Sequence, residues 1–540
     1  MNRFRIGRRA WIAFVPALAL ATAVGAHGAT SAQTGGARAA VGGTLVVDRS
    51  FEIKTSDPQR AFEPTAAIVD RGVYETLLVF KGGDVAHPAP LLARSWKATP
   101  DAKTFIFQLR KGVHFADGTP LTAQDAVFSF RRLINLKGNP SFLLADVTAS
   151  ARGKYTVILH SKVPNTALPA ILANTSLGVV NSKLVRKHGG TDAASADKTD
   201  KAEQWLNSAA SAGAGSGPYL LKQYSTTSQI ILQRNPRYWG SKPAFSTVVI
   251  RNMIAPTQLI NVQRGSHEVA IDLSADQAQS LKGNRKLKVS LQPSTWVFWL
   301  FANNDPSISS VTPNKHFQSA VRYALDYRSI VSVAGPGAIQ APGIIPNMFL
   351  GSLPQRFRIN QNVAKAKSEL AASGAGSQKI TLEFPSDLTI NGVPFASLAQ
   401  RVQANLQSVG FNVDLGGAPV GTWLSKYRDG KMAFGLSLWG PDFPDPADYL
   451  AFLPGELVGT RAGWPKGSDP ALEKLGDRAR VTTAPKARQT LYRQIQQKLN
   501  ADGPFFPLLQ PTQVFVATSD LRNAVFNPLY QIDVTRAAPK

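Results

Sequence analysis

The stretch TFIFQLRKGVHFADGTPLTAQDAVFSFRRLI, residues 104–134, carries the clearest structural signals of the chain. Phe105, Phe107 and Leu109 recur at every second position, and this alternation is typical of a half-buried strand. After a Lys-Gly turn, residues 113–115 (Val-His-Phe) predict a second, short strand. The first half of the stretch therefore predicts two strands joined by a turn.

The second half of the stretch predicts a tight turn followed by a helix. Asp117 and Gly118 form a dipeptide that favours tight turns. Thr122 is expected to cap the N-terminus of the helix, with Asp125 three residues later in a variant of the capping box. A strand that leads into a helix whose apolar side chains share one face indicates mixed α/β structure.

Strands and helices continue to alternate outward from this stretch. Strands are predicted at 44–48, 380–384, 411–416 and 433–439, and helices at 66–80 (running into a strand), 321–331, 362–374 and 395–410. The run TWVFWLFANN, residues 295–304, has more consecutive apolar residues than a surface strand tolerates, so we expect a buried connection between two large lobes. A chain of 540 residues is too long for one core, and two or three α/β domains are expected.

The N-terminus has the pattern of a secretory signal peptide. A basic head precedes an apolar run and small residues, so residues 1–26 are expected to be removed, with a cut near Ala32 as an alternative. The pair Arg8-Arg9 leaves twin-arginine export open. Residues 27–42 are rich in Gly, Ala and Ser and are expected to form a flexible leader.

The cysteine count bears on the compartment. The chain contains no cysteine, so neither a disulfide nor a lipid-anchoring cysteine is expected. No later segment has the roughly 18 consecutive apolar residues of a membrane span. We therefore expect a free, exported protein, most simply in a bacterial periplasm.

The chain is strongly basic, with 60 Lys and Arg against 35 Asp and Glu and a net charge of +25. These basic residues are scattered in pairs rather than runs, and no zinc-finger or RNA-binding motif accompanies them. Nucleic acid is therefore not expected as a partner. The charge suits a surface that lies near anionic lipid or cell-wall polymers.

Motifs of the common enzyme classes are missing from the sequence. It has no G-x-S-x-G, no phosphate-binding loop, no spaced histidine pair for zinc and no thiol nucleophile. No catalytic residue, cofactor or metal ligand is predicted, and the protein is not expected to be an enzyme. A secreted hydrolase is the rival class, but it needs a cleft-facing acid pair or a Ser/His/Asp set.

The stretch SLWGPDFPDPADYL, residues 437–450, places Asp442, Asp445 and Asp448 at intervals of three. The prolines between them exclude an α-helix, and the pattern does not match a calcium loop. Asp442 follows a predicted buried strand near Trp439, and a carboxylate beside an indole suits an ammonium group. A turn-capping role for Asp442 stays open. The other two aspartates are predicted to be structural, Asp445 as a helix N-cap.

Five motifs, in this order, resemble those of the extracellular solute-binding proteins of family 5, the peptide-, opine- and nickel-type binding components of ABC importers. They are FQLRKGVHFADGTPLTAQDAVFSFRR (107–132), GSGPYLL (215–221), NPRYWGSKP (235–243), FANND…FQSAVRYALDY (301–327) and WGPDFPDPADYL (439–450). The resemblance covers about residues 43–540.

The resemblance implies a bilobed, α/β periplasmic-binding-protein (Venus-flytrap) fold with mixed sheets in both lobes. One lobe is expected at 43–300, with an extra subdomain at about 75–205, and to be completed by 500–540. The other lobe is expected at 304–495. A solute is then enclosed between the lobes and delivered to membrane permease subunits by a monomeric binding protein.

In peptide-binding members of the family, the aspartate of the W-x-x-D motif pairs with the ligand's α-amino group. The resemblance assigns this role to Asp442, with Trp439 and Gly440 at the cleft wall. Dipeptide binders hold the ligand carboxylate with an arginine near 380–400, but this sequence has none there before Arg401. Longer peptides, other amines and neutral solutes therefore stay open, and the lack of a nearby histidine argues against a nickel cargo.

An oligosaccharide cargo is the alternative within the same family. Trp299 and Trp423, together with Trp439, are then the candidates to stack on sugar rings, and Asp442 accepts hydroxyl hydrogen bonds.

Overall fold

The computed structural model describes residues 42–540. The predicted signal peptide, 1–26, lies outside the described residues, as does the predicted leader except for its last position. No helix within the described range is both long and apolar enough to cross a membrane.

A seven-stranded mixed sheet is built from both ends of the described chain. Thr44–Arg49 lies at its centre and pairs in parallel with Thr247–Asn252 and Glu268–Ala270. The full strand order is Leu287–Pro293, Thr512–Thr518, Glu268–Ala270, Thr44–Arg49, Thr247–Asn252, Gln229–Arg234 and Tyr219–Gln223. The predicted first strand, 44–48, is confirmed.

A six-stranded mixed sheet contains the predicted strands of the second half of the chain. Its order is Ile339–Gln340, Phe505–Gln510, Val297–Ala302, Phe434–Trp439, Lys379–Pro385 and Asn412–Ala418. The last two strands run parallel because the helix Phe395–Ser408 connects them. The predicted strand-helix-strand order of this region is confirmed.

The opening stretch forms part of a four-stranded antiparallel sheet with the order Ala93–Ala98, Thr104–Leu109, Thr156–Ser161 and Val147–Arg152. The Thr122 backbone N–H donates to the Asp125 carboxylate (2.9 Å), and the helix Ala123–Leu136 begins there as predicted. Arg132 of this helix is fully buried and pairs with Asp57 (2.6 Å) and Asp200 (2.8 Å). The helix Ala123–Leu136 is thereby bound to two segments that are distant from it in sequence.

The remaining elements complete the described chain. The other α-helices are Pro64–Val73, Leu168–Ile171, Ser182–Lys187, Ala196–Thr199, Glu203–Leu206, Ala255–Arg264, Ala275–Ser280, Lys315–Ala324, Tyr327–Ser332, Val363–Ser373, Val420–Arg428, Leu457–Arg461, Pro470–Val481 and Pro485–Asp502. The 3-10 helices are Asn139–Leu144, Thr175–Leu177, Ala209–Gly213, Gln355–Phe357 and Pro446–Phe452. Short two-stranded pairs are Leu78–Val79 with Ala89–Pro90, Thr389–Ile390 with Val393–Pro394, Leu521–Arg522 with Ala538–Pro539, and Phe526–Asn527 with Gln531–Ile532.

The chain passes between the two large sheets at two adjacent points. Every residue of Val297–Ala302 is buried, which confirms the predicted buried run. This strand follows one crossing, and Pro511 lies in the other, between Phe505–Gln510 and Thr512–Thr518. The Ser294 backbone N–H donates to the Pro511 carbonyl (2.7 Å), so the two crossings are hydrogen-bonded to each other.

Two local predictions are wrong. Residues 113–115 form no strand, because hydrogen bonds across the Asp117-Gly118 turn leave only a single bridge between His114 and Pro120. The helix predicted over 321–331 is two helices, Lys315–Ala324 and Tyr327–Ser332. It is interrupted because the Asp326 carboxylate accepts the backbone N–H groups of Arg328 and Ser329 and begins a new helix.

Candidate ligand-binding site

A cavity of about 390 Å³ lies beside the two crossings. One part of its wall comes from the start of the helix Pro64–Val73 and from the loop at 174–176. Another part comes from Trp296 and from residues 440–442, which follow the strand Phe434–Trp439. The cavity is therefore lined by segments associated with both large sheets, with Gln513 at the second crossing.

Asp442 lines this cavity and keeps its carboxylate available. Its backbone N–H donates to Oδ2 of Asp448 (3.2 Å), which fixes the turn. No hydrogen bond or ion pair reaches the Asp442 side chain from any residue between 42 and 540. Burial raises the pKa of this carboxyl group, so a cation placed against it gains from the restored charge pair.

The Asp448 side chain stabilises the turn by accepting hydrogen bonds. Its Oδ2 also accepts a hydrogen bond from Nε1 of Trp439 (2.8 Å). Burial, with a contribution from Asp442, raises the pKa of Asp448 to about 8. Trp439 packs against Phe452 with its ring centroid at 6.0 Å and is not among the residues that line the cavity. The structural role predicted for Asp448 agrees with these contacts.

Asp445 is held in a buried ion pair. Arg488, from the helix Pro485–Asp502, contacts its two carboxylate oxygens at 2.5 and 3.0 Å. Asp445 also accepts the backbone N–H of Ala447 and caps the 3-10 helix Pro446–Phe452, as the sequence predicts. The contacts of Asp445 and Asp448 therefore hold in place the proline-rich turn that contains Asp442.

Gly440 lets the backbone of the turn lie close to the Trp296 ring. A Cβ atom at this position would lie 2.6 Å from the ring of Trp296, closer than any side chain permits. Trp296 precedes the strand Val297–Ala302, whose first residue pairs with Trp439. The register of two buried strands thus places the Trp296 ring against the backbone that leads to Asp442.

The other two tryptophans of the predicted site lie elsewhere. Trp299 is fully buried and packs edge-on against Phe452 at 5.0 Å. Trp423 stacks on Tyr427 at 5.3 Å, and neither indole lines the cavity beside Asp442. The structure therefore does not bring Trp299 and Trp423 to that cavity, and their ligand contact stays a prediction.

The charged residues that line the cavity are all acidic. Glu63, Asp70 and Asp442 line it, whereas no lysine, arginine or histidine among the described residues does so. Glu63 precedes the helix Pro64–Val73 and Asp70 lies in its second half, and the sequence analysis missed both because it followed only the apolar periodicity of this segment. Residues 42–540 contain no group of three or more His, Cys, Asp and Glu side chains arranged to hold a metal ion. The charged side chains of the cavity are complementary to a positively charged group.

The family model for the middle part of bacterial extracellular solute-binding proteins of family 5 matches residues 87–457, more than half of the chain. The protein belongs to this family. The family 5 fold also appears in HbpA2 from Haemophilus parasuis (TM-score 0.80, 20% identity, covering 92% of this chain and 100% of that one). The fold class predicted from the sequence, a bilobed α/β binding-protein fold, is confirmed.

Individual relatives are similar to this chain over most of its length. A probable D,D-dipeptide-binding periplasmic protein of Escherichia coli is 27% identical, covering 90% of this chain and 92% of its own. The periplasmic oligopeptide-binding protein of Salmonella typhimurium is 26% identical, covering 91% of both chains. A Helicobacter pylori protein solved with the peptide STSA has a TM-score of 0.69 at 21% identity, covering 92% of this chain and 98% of that one. Neither these relatives nor the family supports the hydrolase or oligosaccharide alternative.

Proposed function

We propose that this family 5 protein is the periplasmic substrate-binding component of an ABC importer, and that it captures small peptides or peptide-like amines. The ligand is enclosed between two lobes and handed to permease subunits at the membrane. The names of its relatives, which include dipeptide- and oligopeptide-binding proteins, support this class of cargo.

The observation that carries the proposal is the uncommitted carboxylate of Asp442. It lies in a cavity whose charged lining residues are all acidic. Asp445 and Asp448 of the same turn are occupied by Arg488 and Trp439, so Asp442 is the aspartate of that turn left for a ligand. An α-amino group supplies the missing positive charge and hydrogen-bond donors.

The carboxyl end of a bound peptide is expected to contact neutral polar groups. No basic side chain lines the cavity among the described residues, but amide and hydroxyl groups do, including Asn174, Ser176 and Gln513. We expect neutral donors of this kind to tolerate peptides of several lengths and amidated C-termini, because no buried cation demands a carboxylate.

The proposed lobes are residues 43–300 together with 500–540, and residues 304–495. The seven-stranded sheet supports this division, because all its strands come from the first set of residues. The strands Val297–Ala302 and Phe505–Gln510 belong to the six-stranded sheet, so the sheets change over at the two crossings, before 297 and after 510. In this account the protein binds without catalysis, acts as a monomer, and is exported by the N-terminal signal peptide.

The test is mass spectrometry of small molecules released by denaturing the protein as purified from an exporting bacterium. Thermal unfolding is then measured with a panel of peptides and a matched panel of sugars. We expect intact peptides in the released fraction. A peptide at one hundred times its dissociation constant is expected to stabilise the protein by about 2.7 kcal/mol. Stabilisation by sugars alone, or cleavage of the added peptides, contradicts the proposal.

A further inference from the structure

Asp70 is a buried carboxylate without a partner. It lies in the helix Pro64–Val73, and its relative exposure is 1%. Neither of its carboxylate oxygens has a hydrogen-bond partner within residues 42–540. Buried charged groups in folded proteins are almost always paired, because an isolated one loses its hydration without compensation. The fold therefore gives no reason for an acid at this position.

Neighbouring cations are already committed to other acids. Arg71, the next residue, pairs with Asp533 at 3.1 Å. Arg132 is shared by Asp57 and Asp200. Arg71 and Arg132 are thus each paired with other carboxylates.

Other acidic groups lie near Asp70. Glu63, at the start of the same helix, lines the same cavity. Burial first, and then the charges of Asp57 and Glu63, raise the pKa of Asp70 well above its ordinary value. A cation in the cavity relieves both the burial and the repulsion.

Asp70 and Asp442 both line the cavity and come from different segments of the chain. Asp70 comes from a helix that packs on the seven-stranded sheet, whereas Asp442 follows a strand of the six-stranded sheet. One ammonium group held by Asp442 satisfies one of these two acids. A ligand with a second cationic group satisfies the other at the same time.

We infer that the cavity selects dicationic ligands, in which Asp442 takes an α-amino group and Asp70, with Glu63 beside it, takes a basic side chain such as that of lysine. This inference rests on the proposed function and specifies its substrate class. The apolar rings of Phe62 and Trp296, which also line the cavity, suit the methylene stem of such a side chain.

The test is isothermal titration of the full-length mature protein with pairs of tripeptides of alanine. One member carries lysine and the other norleucine, its uncharged analogue, at the second or third position. For the better lysine position we expect the wild-type protein to favour lysine by at least about tenfold, which corresponds to about 1.4 kcal/mol. Acetylating the lysine side chain is expected to remove this preference, and this comparison needs no variant.

Two variants assign the preference to residues. Asp70→Asn is expected to reduce the lysine-over-norleucine preference below about threefold, since the charge is lost. Glu63→Gln, whose side chain is less buried, is expected to reduce it by a smaller factor. Asp442→Asn is expected to weaken both peptides of a pair together.

The possible results distinguish the selection of dicationic ligands from the proposed function of peptide binding. If the wild-type protein binds norleucine and lysine peptides equally, or if Asp70→Asn keeps the lysine preference, the inference is overturned and the proposed function stands. If no peptide of either kind binds, both are overturned.

Discussion

Nε1 of Trp439 donates a hydrogen bond of 2.8 Å to Oδ2 of Asp448, and this contact separates the roles of the aspartates in the proline-rich turn. The same oxygen accepts the backbone N–H of Asp442 at 3.2 Å. Asp448 therefore holds both the indole and the turn in place. The Asp442 side chain is left to face the cavity.

The raised pKa of Asp448 predicts a pH-dependent stability. Burial raises this pKa from 3.8 to about 8, so the folded protein keeps a proton that the unfolded chain releases above about pH 4. The contribution of Asp448 to the free energy of unfolding is complete below about pH 4 and is lost as the pH rises towards 8. Urea unfolding of the ligand-free protein at pH 5, 6, 7 and 8 measures this loss.

Asp448→Asn is the matched variant for that experiment. Its amide cannot titrate, while its carbonyl oxygen still accepts the Trp439 hydrogen bond. We expect stability to fall less steeply in the variant, by roughly 1 kcal/mol per pH unit. Other buried acids, such as Glu268, titrate in both proteins and cancel in the comparison. Equal slopes for the two proteins contradict a proton held at Asp448.

Gly440→Ala is expected to weaken ligand binding through Trp296. The added Cβ would fall 2.6 Å from the indole ring, so the tryptophan or the turn must move. Such overpacking costs about 1–3 kcal/mol of stability, and calorimetric affinity for peptides should fall with it. Gly421→Ala is the control, because no atom lies within 4 Å of its Cβ and alanine favours the helix. Unchanged affinity in Gly440→Ala excludes a positioning role for Trp296.

Arg132→Met is expected to destabilise the protein by about 3 kcal/mol, since it leaves the buried Asp57 and Asp200 with the partly exposed Arg60 as their remaining cationic partner. The neighbouring Arg131 is exposed and reaches only the Ala149 carbonyl at 3.1 Å. Arg131→Met is therefore expected to cost less than about 1 kcal/mol. Chemical unfolding of both variants measures the loss in free energy of unfolding. Similar losses in Arg131→Met and Arg132→Met contradict the importance of the buried ion pairs.

Periodic apolar patterns were sufficient to predict most of the fold. The alternation at 105–109 and the buried run at 297–302 both became strands, because a half-buried or fully buried strand leaves a distinct trace in the order of side chains. The break at Asp326 escaped prediction, since apolar residues continue through it at helical spacing. Only the hydrogen bonds of the Asp326 carboxylate interrupt that helix.

The candidate site was predicted only in part. Asp442 and Gly440 were found because the W-x-x-D motif is local in sequence. Trp296 and Asp70 were not, because their place in the same cavity as Asp442 depends on strand register and on the packing of a distant helix. Trp299 was chosen for its ring, yet the pleat directs it into the core.

The most direct measurement is the affinity of one peptide and its N-acetylated form for the wild-type protein and for Asp442→Asn, with the exposed Asp429→Asn as a control. Acetylation removes the cation that Asp442 is proposed to hold. We predict that it costs the wild-type protein and the control about 2–5 kcal/mol of binding free energy, and that it costs Asp442→Asn almost nothing. An equal loss in Asp442→Asn and in the wild-type protein would show that another group binds the amine.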